Sequence, residues 1–219
     1  VTSLGSVMLP RVAHLLATGD HKAVNKMHEM SFLIYNLVIF PMMAGILIVN
    51  DDFVQFFLGQ DFQDARYAIA IMIFRMFFIG WTNIMGIQIL IPHNRNKEFM
   101  ISTTAPAIIS VGLNLLFLPK LGYIGAAIVS VLTEALVWAI QLYFTRRYLK
   151  EVPIIGSMTK IILASAIMYG ILLGSKTVIH FSPTLNVLVF AVLGGIIYLF
   201  AILSLKVVDV KELKQIIKK

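Results

Sequence analysis

The sequence predicts an all-α fold, a polytopic transmembrane helix bundle. Six apolar runs are each long enough to cross a hydrocarbon core, which takes about 20 helical residues. The Lys and Arg residues fall almost entirely on alternate connections between those runs. The chain is 59% hydrophobic and only 13% charged, where a soluble domain carries about 25% charge. Only helices and closed barrels satisfy their backbone in lipid, and these runs lack the polar–apolar alternation of barrel strands.

The predicted spans are Phe32–Val49, Ala68–Ile91, Phe99–Leu118, Tyr123–Phe144, Ile161–Ile179 and Leu185–Leu205. Ahead of them, Val1–Leu9 is apolar and gives way at Pro10-Arg11. We read it as the last turns of a further span, and the chain as the C-terminal part of a longer protein. Asp20–Met30 reads as a short interfacial helix, with Asp20 as N-cap and Val24, Met27 and Met30 as its apolar edge. The connection Asn50–Tyr67 mixes four phenylalanines with Asp51, Asp52, Asp61 and Asp64. It reads as aromatics at the interface beneath a solvated acidic face. The organisation falls into residues 1–150, holding the first spans, and 151–219, holding two final spans and a basic tail.

Charge sets the orientation. Fourteen of the 18 Lys and Arg residues lie on the connections 11–31, 92–98 and 145–160 and on the tail from Lys206. Arg66, Lys120 and Lys176 lie on the opposite connections, and Arg75 is inside a span. The positive-inside rule puts the fourteen, and so the C-terminal tail, in the cytoplasm. The fifth span requires Lys176 to snorkel to the outer surface. The net charge of +7 is accounted for by these flanks and by anionic lipid headgroups, so no nucleic-acid partner is expected. Cysteine is absent, which removes disulfide and thiolate metal chemistry.

Two charges lie at membrane depth, where insertion costs at least ~2.5–3.5 kcal/mol each. Arg75 lies about 10 Å inside its span at 1.5 Å per residue. It either meets an anionic group such as a phosphate, pairs with Glu134, or snorkels. Glu134 follows Gly122, Ala126 and Ser130 at four-residue spacing. Small residues in that register let helices approach, so Glu134 faces another helix or a cavity, for coupling or for interhelical pairing. On the second span Arg75, Thr82 and Gly86 share a stripe, with Asn83 roughly 80° round from it. Asn83 is the candidate to share a cavity with Arg75, against an amide bonded to a neighbouring helix. Gln88, near the end of that span, reaches towards headgroups. Pro41 with Gly45, and Pro106, mark kinks.

Catalytic patterns are lacking. His14, His21 and His28 recur every seven residues, not at the four-residue spacing of helical metal ligands, and read as surface histidines. No nucleophile–base pair, phosphate loop or carboxylate cluster stands out. Neither an enzyme nor a cofactor is expected.

Four stretches, "SLGSVMLPRVAHLLATGD", "FFLGQDF", "GIQILIPHNRNKEF" and "NLLFLPKLGYIGAAIVSVLTE", resemble in order and spacing the polysaccharide and oligosaccharide (Wzx-type repeat-unit) flippases. These belong to the multidrug/oligosaccharidyl-lipid/polysaccharide exporter superfamily, and the likeness covers roughly residues 3–144. The resemblance implies the second lobe of a two-lobe exporter fold plus two C-terminal helices. It also implies a substrate, a lipid-linked oligosaccharide on undecaprenyl diphosphate, moved across the bacterial plasma membrane for capsule or O-antigen assembly. The partners it implies are the bilayer and a missing N-terminal lobe of the same protein, with Arg75 as the cation suited to the anionic headgroup. Alternatives are a peptidoglycan-precursor or multidrug exporter of the same superfamily, or a membrane glycan polymerase or ligase.

Overall fold

The computed structural model describes residues 2–178 and 181–207. Among them six α-helices follow one another and no strand occurs: α1 (Thr2–Ala17), α2 (His21–Phe57), α3 (Ala65–Asn83), α4 (Asn96–Leu149), α5 (Ile154–Lys176) and α6 (Pro183–Ser204). A 3-10 turn, Gln60–Phe62, precedes α3, and a π-helical segment, Ile84–Leu90, continues it. In that segment the Ile91 amide donates to the Gly86 carbonyl, five residues back, at 3.1 Å. The chain then turns at Asn94, whose φ of 56° is the left-handed conformation common after helix ends. An alanine methyl at Gly86 would lie 2.6 Å from Phe99 Cε2, so glycine is what lets α4 approach the π-helix.

Five helices, α2 to α6, are long and apolar enough to cross a membrane, and α4 supplies two of the six expected spans. Its 54 residues would extend about 81 Å as one rod, against a core of about 30 Å. The backbone leaves helical geometry at Gly122, with φ 54° and ψ −137°. Side-chain-bearing residues avoid that conformation. The limbs 96–121 and 123–149 are therefore separate crossings. Arg95 and Lys120, expected on opposite sides, bracket the first limb and are separated by roughly 38 Å of helix.

Several boundaries move. α1 runs through Pro10 to Ala17, so the end of the apolar run is not the end of the helix. Asp20 caps α2 as expected, its Oδ1 accepting from the Ala23 amide at 3.0 Å. Residues 20–30 are the first turns of that 37-residue helix, since neither Gly nor Pro interrupts the chain before Pro41. Helix also extends into the connection 50–67, leaving only residues 58–64 between α2 and α3. Arg146 and Arg147 stand in the last turn of α4, and Lys160 is within α5. Ile179 and the tail cations from Lys211 onward lie outside the described residues.

The chain forms two compact units: Val1–Tyr35 with Tyr67–Ile154, and Asn36–Arg66 with Ile155–Lys219. Asn36–Arg66 thus falls in the same unit as the C-terminal helices. The first unit packs around aromatics: the Trp81 ring lies 4.7 Å from Phe32, 5.2 Å from Phe77 and 6.3 Å from Trp138, centroid to centroid. The second packs Ile48 and Val49 of α2 against Ala164, Met168 and Leu172 of α5 and Phe190 and Tyr198 of α6. The Tyr198 hydroxyl donates to the Leu37 carbonyl at 2.7 Å. Outside these cores the surface is apolar, with Leu115 73% and Phe200 74% exposed. A water-facing surface would not carry such groups in contiguous rows; a lipid-facing one does.

Candidate functional site: a polar cleft at membrane depth

In the first unit, α3 and the two limbs of α4 enclose a cleft of about 320 Å³. Arg75 enters from α3, Ser110 and Asn114 from the first limb, and Ala126, Ser130, Thr133 and Glu134 from the second. The spacing explains the second-limb set. Residues 126, 130, 133 and 134 share one helical face, the small-residue stripe read from the sequence.

Arg75 and Glu134 meet in this cleft. Arg75 Nη2 donates to Glu134 Oε1 at 3.0 Å and Nε to the same oxygen at 3.3 Å. Both bonds use one carboxylate oxygen. Among the described residues, Oε2 and Nη1 have no protein partner. The pair is partly open, with side chains 37% and 19% exposed for Arg75 and Glu134. Around it, Asn114 Nδ2 donates to the Ser110 carbonyl at 2.9 Å and the Thr133 hydroxyl to the Val129 carbonyl at 2.7 Å. The Asn114 amide oxygen and the hydroxyl lone pairs stay available. A guanidinium fork beside hydroxyls and an amide, in low dielectric, is a donor set for an oxyanion.

Of the expected site residues, the structure brings Arg75 and Glu134 together and leaves Asn83 apart. Asn83 is eight residues along α3, about 12 Å at helical rise, and does not line the cleft. Its Oδ1 is buried without a hydrogen-bond partner.

Two polar networks escaped the sequence reading. Gln88, expected near headgroups, is 1% exposed and accepts from the Ser31 hydroxyl at 2.7 Å. The wide π-helical turn points it inward. His28, expected on the surface, is also 1% exposed, its Nε2 at 3.2 Å from the Gln88 carbonyl. That carbonyl lies in the π-helical stretch, where ordinary helix bonding is broken. The seven-residue histidine spacing gave no sign of it, because only the tertiary partner decides which of the three is buried. Among the described residues no group of His, Cys, Asp or Glu could hold a metal ion. In the second unit Lys176 does not simply snorkel. Its Nζ donates to the Ile48 carbonyl at 2.7 Å and lies 3.3 Å from Asp52 Oδ2. Asp52, expected to be solvated, has a side chain only 13% exposed and accepts from Asn186 Nδ2 at 2.9 Å.

Several helices long and apolar enough to cross a membrane define a multi-pass membrane protein. The chain belongs to the lipid II flippase MurJ family, whose sequence profile matches residues 1–215. Among individual relatives, it is 26% identical over 217 residues to an uncharacterised membrane protein of Methanocaldococcus jannaschii, covering 99% of this chain and 42% of that one. It is 20% identical to the probable low-salt glycan biosynthesis flippase Agl15 of Haloferax volcanii, over 90% of this chain and 41% of that one. A putative O-antigen transporter of Escherichia coli is 33% identical over 89 residues, 41% of this chain and 21% of that one. The chain thus spans about two fifths of the length of the first two relatives. The exporter superfamily read from the four motifs is the one found, and the family matched within it is that of the lipid II flippase. The relatives include an archaeon.

Proposed function

We propose that this chain is the C-terminal part of a flippase that carries a saccharide linked to a polyprenyl diphosphate across the membrane. Arg75 is the cation that meets the diphosphate. The observation that carries this reading is the guanidinium held at membrane depth by a single carboxylate oxygen, in a cleft with room and spare polar groups. Glu134 neutralises Arg75 while the cleft is empty. An arriving diphosphate presents more oxygens in better fork geometry and displaces it. The freed carboxylate is then the point at which a proton or cation couples to the cycle. In this reading a further lobe supplies the opposite wall, and the two lobes rock about the site. The basic ends of the helices face the cytoplasm.

The family match favours lipid II as the lipid-linked saccharide. The relatives named for low-salt glycan biosynthesis and O-antigen transport favour a lipid-linked repeat unit for surface polysaccharide. Complementation separates the two: the intact protein is expressed in cells depleted of their lipid II flippase and, separately, in cells lacking their repeat-unit flippase. Growth in the first assigns lipid II; surface polysaccharide in the second assigns the repeat unit. In whichever strain is rescued, Arg75→Ala abolishes rescue at unchanged membrane abundance. Full rescue by that variant would remove Arg75 from the mechanism.

A further inference from the structure

At one end of the first unit, three connections that the sequence places on the same side of the membrane meet in a cluster that transport does not use. His93 stands in the turn between the π-helical segment and α4, its ring centroid 4.0 Å from that of Tyr148. Arg147 lies with its Cζ 4.5 Å from the centroid of the same phenol ring, and its Nη2 donates to the Tyr148 hydroxyl. His21 opens α2, and its charge and that of Arg147 both act on His93. One imidazole and one guanidinium therefore meet on a single phenol.

The nearby carboxylates are engaged elsewhere. Glu151 accepts from Asn25 at 3.0 Å, Glu98 pairs with Arg95 at 2.9 Å, Glu29 lies 3.6 Å from Lys26, and Asp20 caps α2. Arg147 is exposed and, among the described residues, has no carboxylate partner. His93 Nδ1 sits 2.7 Å from the Ile89 carbonyl. A carbonyl only accepts, so Nδ1 carries the proton, and Nε2 accepts when the ring is neutral and donates when it is charged. The free groups are a planar N–H fork and an imidazole nitrogen, which match phosphate oxygens.

The surroundings say which phosphate. Tyr143, one turn before Arg147, is 59% exposed, and Met100, one turn into α4, is 66% exposed. Large apolar groups exposed one turn from a basic cluster place that cluster where acyl chains give way to headgroups. We propose that Arg147, His93 and Tyr148 form a binding site for the phosphate of an anionic phospholipid headgroup.

Protonation reinforces the site. Partial burial lowers the proton affinity of His93, and the charges of Arg147 and His21 lower it further. From α2, His28 also faces it. A bound phosphate reverses that field, so binding takes up a proton and tightens as pH falls towards about 6.

The test is lipid retention by the intact protein, read by native mass spectrometry from mixed micelles titrated with phosphatidylglycerol or phosphatidylcholine. The parent retains phosphatidylglycerol preferentially. Arg147→Gln weakens that affinity about fivefold, the worth of one cation at a charged membrane surface. His93→Gln abolishes its rise on acidification. Arg146→Gln removes the neighbouring cation, which lies over Tyr143 instead, and changes affinity much less. Equal losses from the Arg146 and Arg147 variants would reduce the effect to diffuse surface charge, and equal retention of the two lipids would remove the headgroup; either overturns the site. Complete displacement of phosphatidylglycerol by inorganic phosphate would assign the cluster to a soluble anion and overturn the lipid assignment. Should Arg147→Gln fail to fold, Arg147→Lys keeps the charge and loses the fork. Weaker retention by a folded Lys variant supports the site, and unchanged retention overturns it.

Discussion

Each unit of this protein holds an ion pair between helices, and the two pairs are built differently. In the second unit, Lys176 has both the Asp52 carboxylate and the Ile48 carbonyl, and Asp52 is held in turn by Asn186. Asn186 also accepts from the Phe181 amide at 3.1 Å. That network closes the ends of α2, α5 and α6 on one another and leaves little for a ligand to engage. In the first unit Arg75 leans on one oxygen of Glu134 and opens into a cleft. A pair in which both partners hold further hydrogen bonds fixes helices. An unsaturated pair with space beside it is one that a competing anion can enter.

The largest expected effect separates the two pairs. Arg75→Ala lowers transport ten- to hundredfold, the worth of a charge-assisted contact of about 1.5–3 kcal/mol. Asp52→Asn leaves transport near the parent value in the same flux assay. Exchanging the residues as Arg75→Glu with Glu134→Arg sharpens the contrast: the pair re-forms and membrane abundance stays at the parent value, but transport is not restored, because the cation has moved to the wrong helix. Gly122→Ala comes next. A methyl there meets nothing within 4 Å, so its cost is backbone strain of about 1–3 kcal/mol, read as earlier thermal unfolding in detergent. The cleft is expected to suffer more than the Asp52–Lys176 network, because Gly122 sets the phase between the limbs that carry Ser110 and Glu134. The smallest effect is with pH. Burial holds the His93 proton affinity below the usual imidazole value. Above about pH 6.5 the ring is neutral whether the chain is folded or not. Below it the unfolded chain takes up the proton first, so the His93 contribution falls on acidification. A His93→Gln variant should show a shallower loss of melting temperature between neutral pH and about pH 5.

The helices were legible because lipid imposes a single rule on their length and apolarity, and the alternating cations fixed which ends lie together. The meeting of His93 with Tyr148 and of Asn25 with Glu151 shows three such connections at one end of the first unit. Arg75 and Glu134 were legible as the two charges that lipid would reject, and the stripe from Ala126 to Glu134 gave the facing side. Their contact was one of several open readings, because no local signal states which helices are neighbours. The bond of Lys176 to the Ile48 carbonyl and the burial of His28 against Gln88 depend on residues 128 and 60 positions away, and no sequence period encodes them. The break between the limbs of α4 was legible, since the predicted spans end at Leu118 and resume at Tyr123; the role of Gly122 in it was not, because that glycine read as one more small residue in a packing stripe.

The segment Ile84–Leu90 winds at five residues per hydrogen bond instead of four. It holds one residue more than its length as an ordinary helix requires, and can lose one without breaking. Such a deletion would close the segment to ordinary α-helix and keep the Asn94 corner near its present phase, while leaving Arg75 where it is. The transport cleft and the basic end of the molecule are thus joined by a stretch of chain whose length is adjustable, and the two can drift apart in sequence without pulling each other out of register.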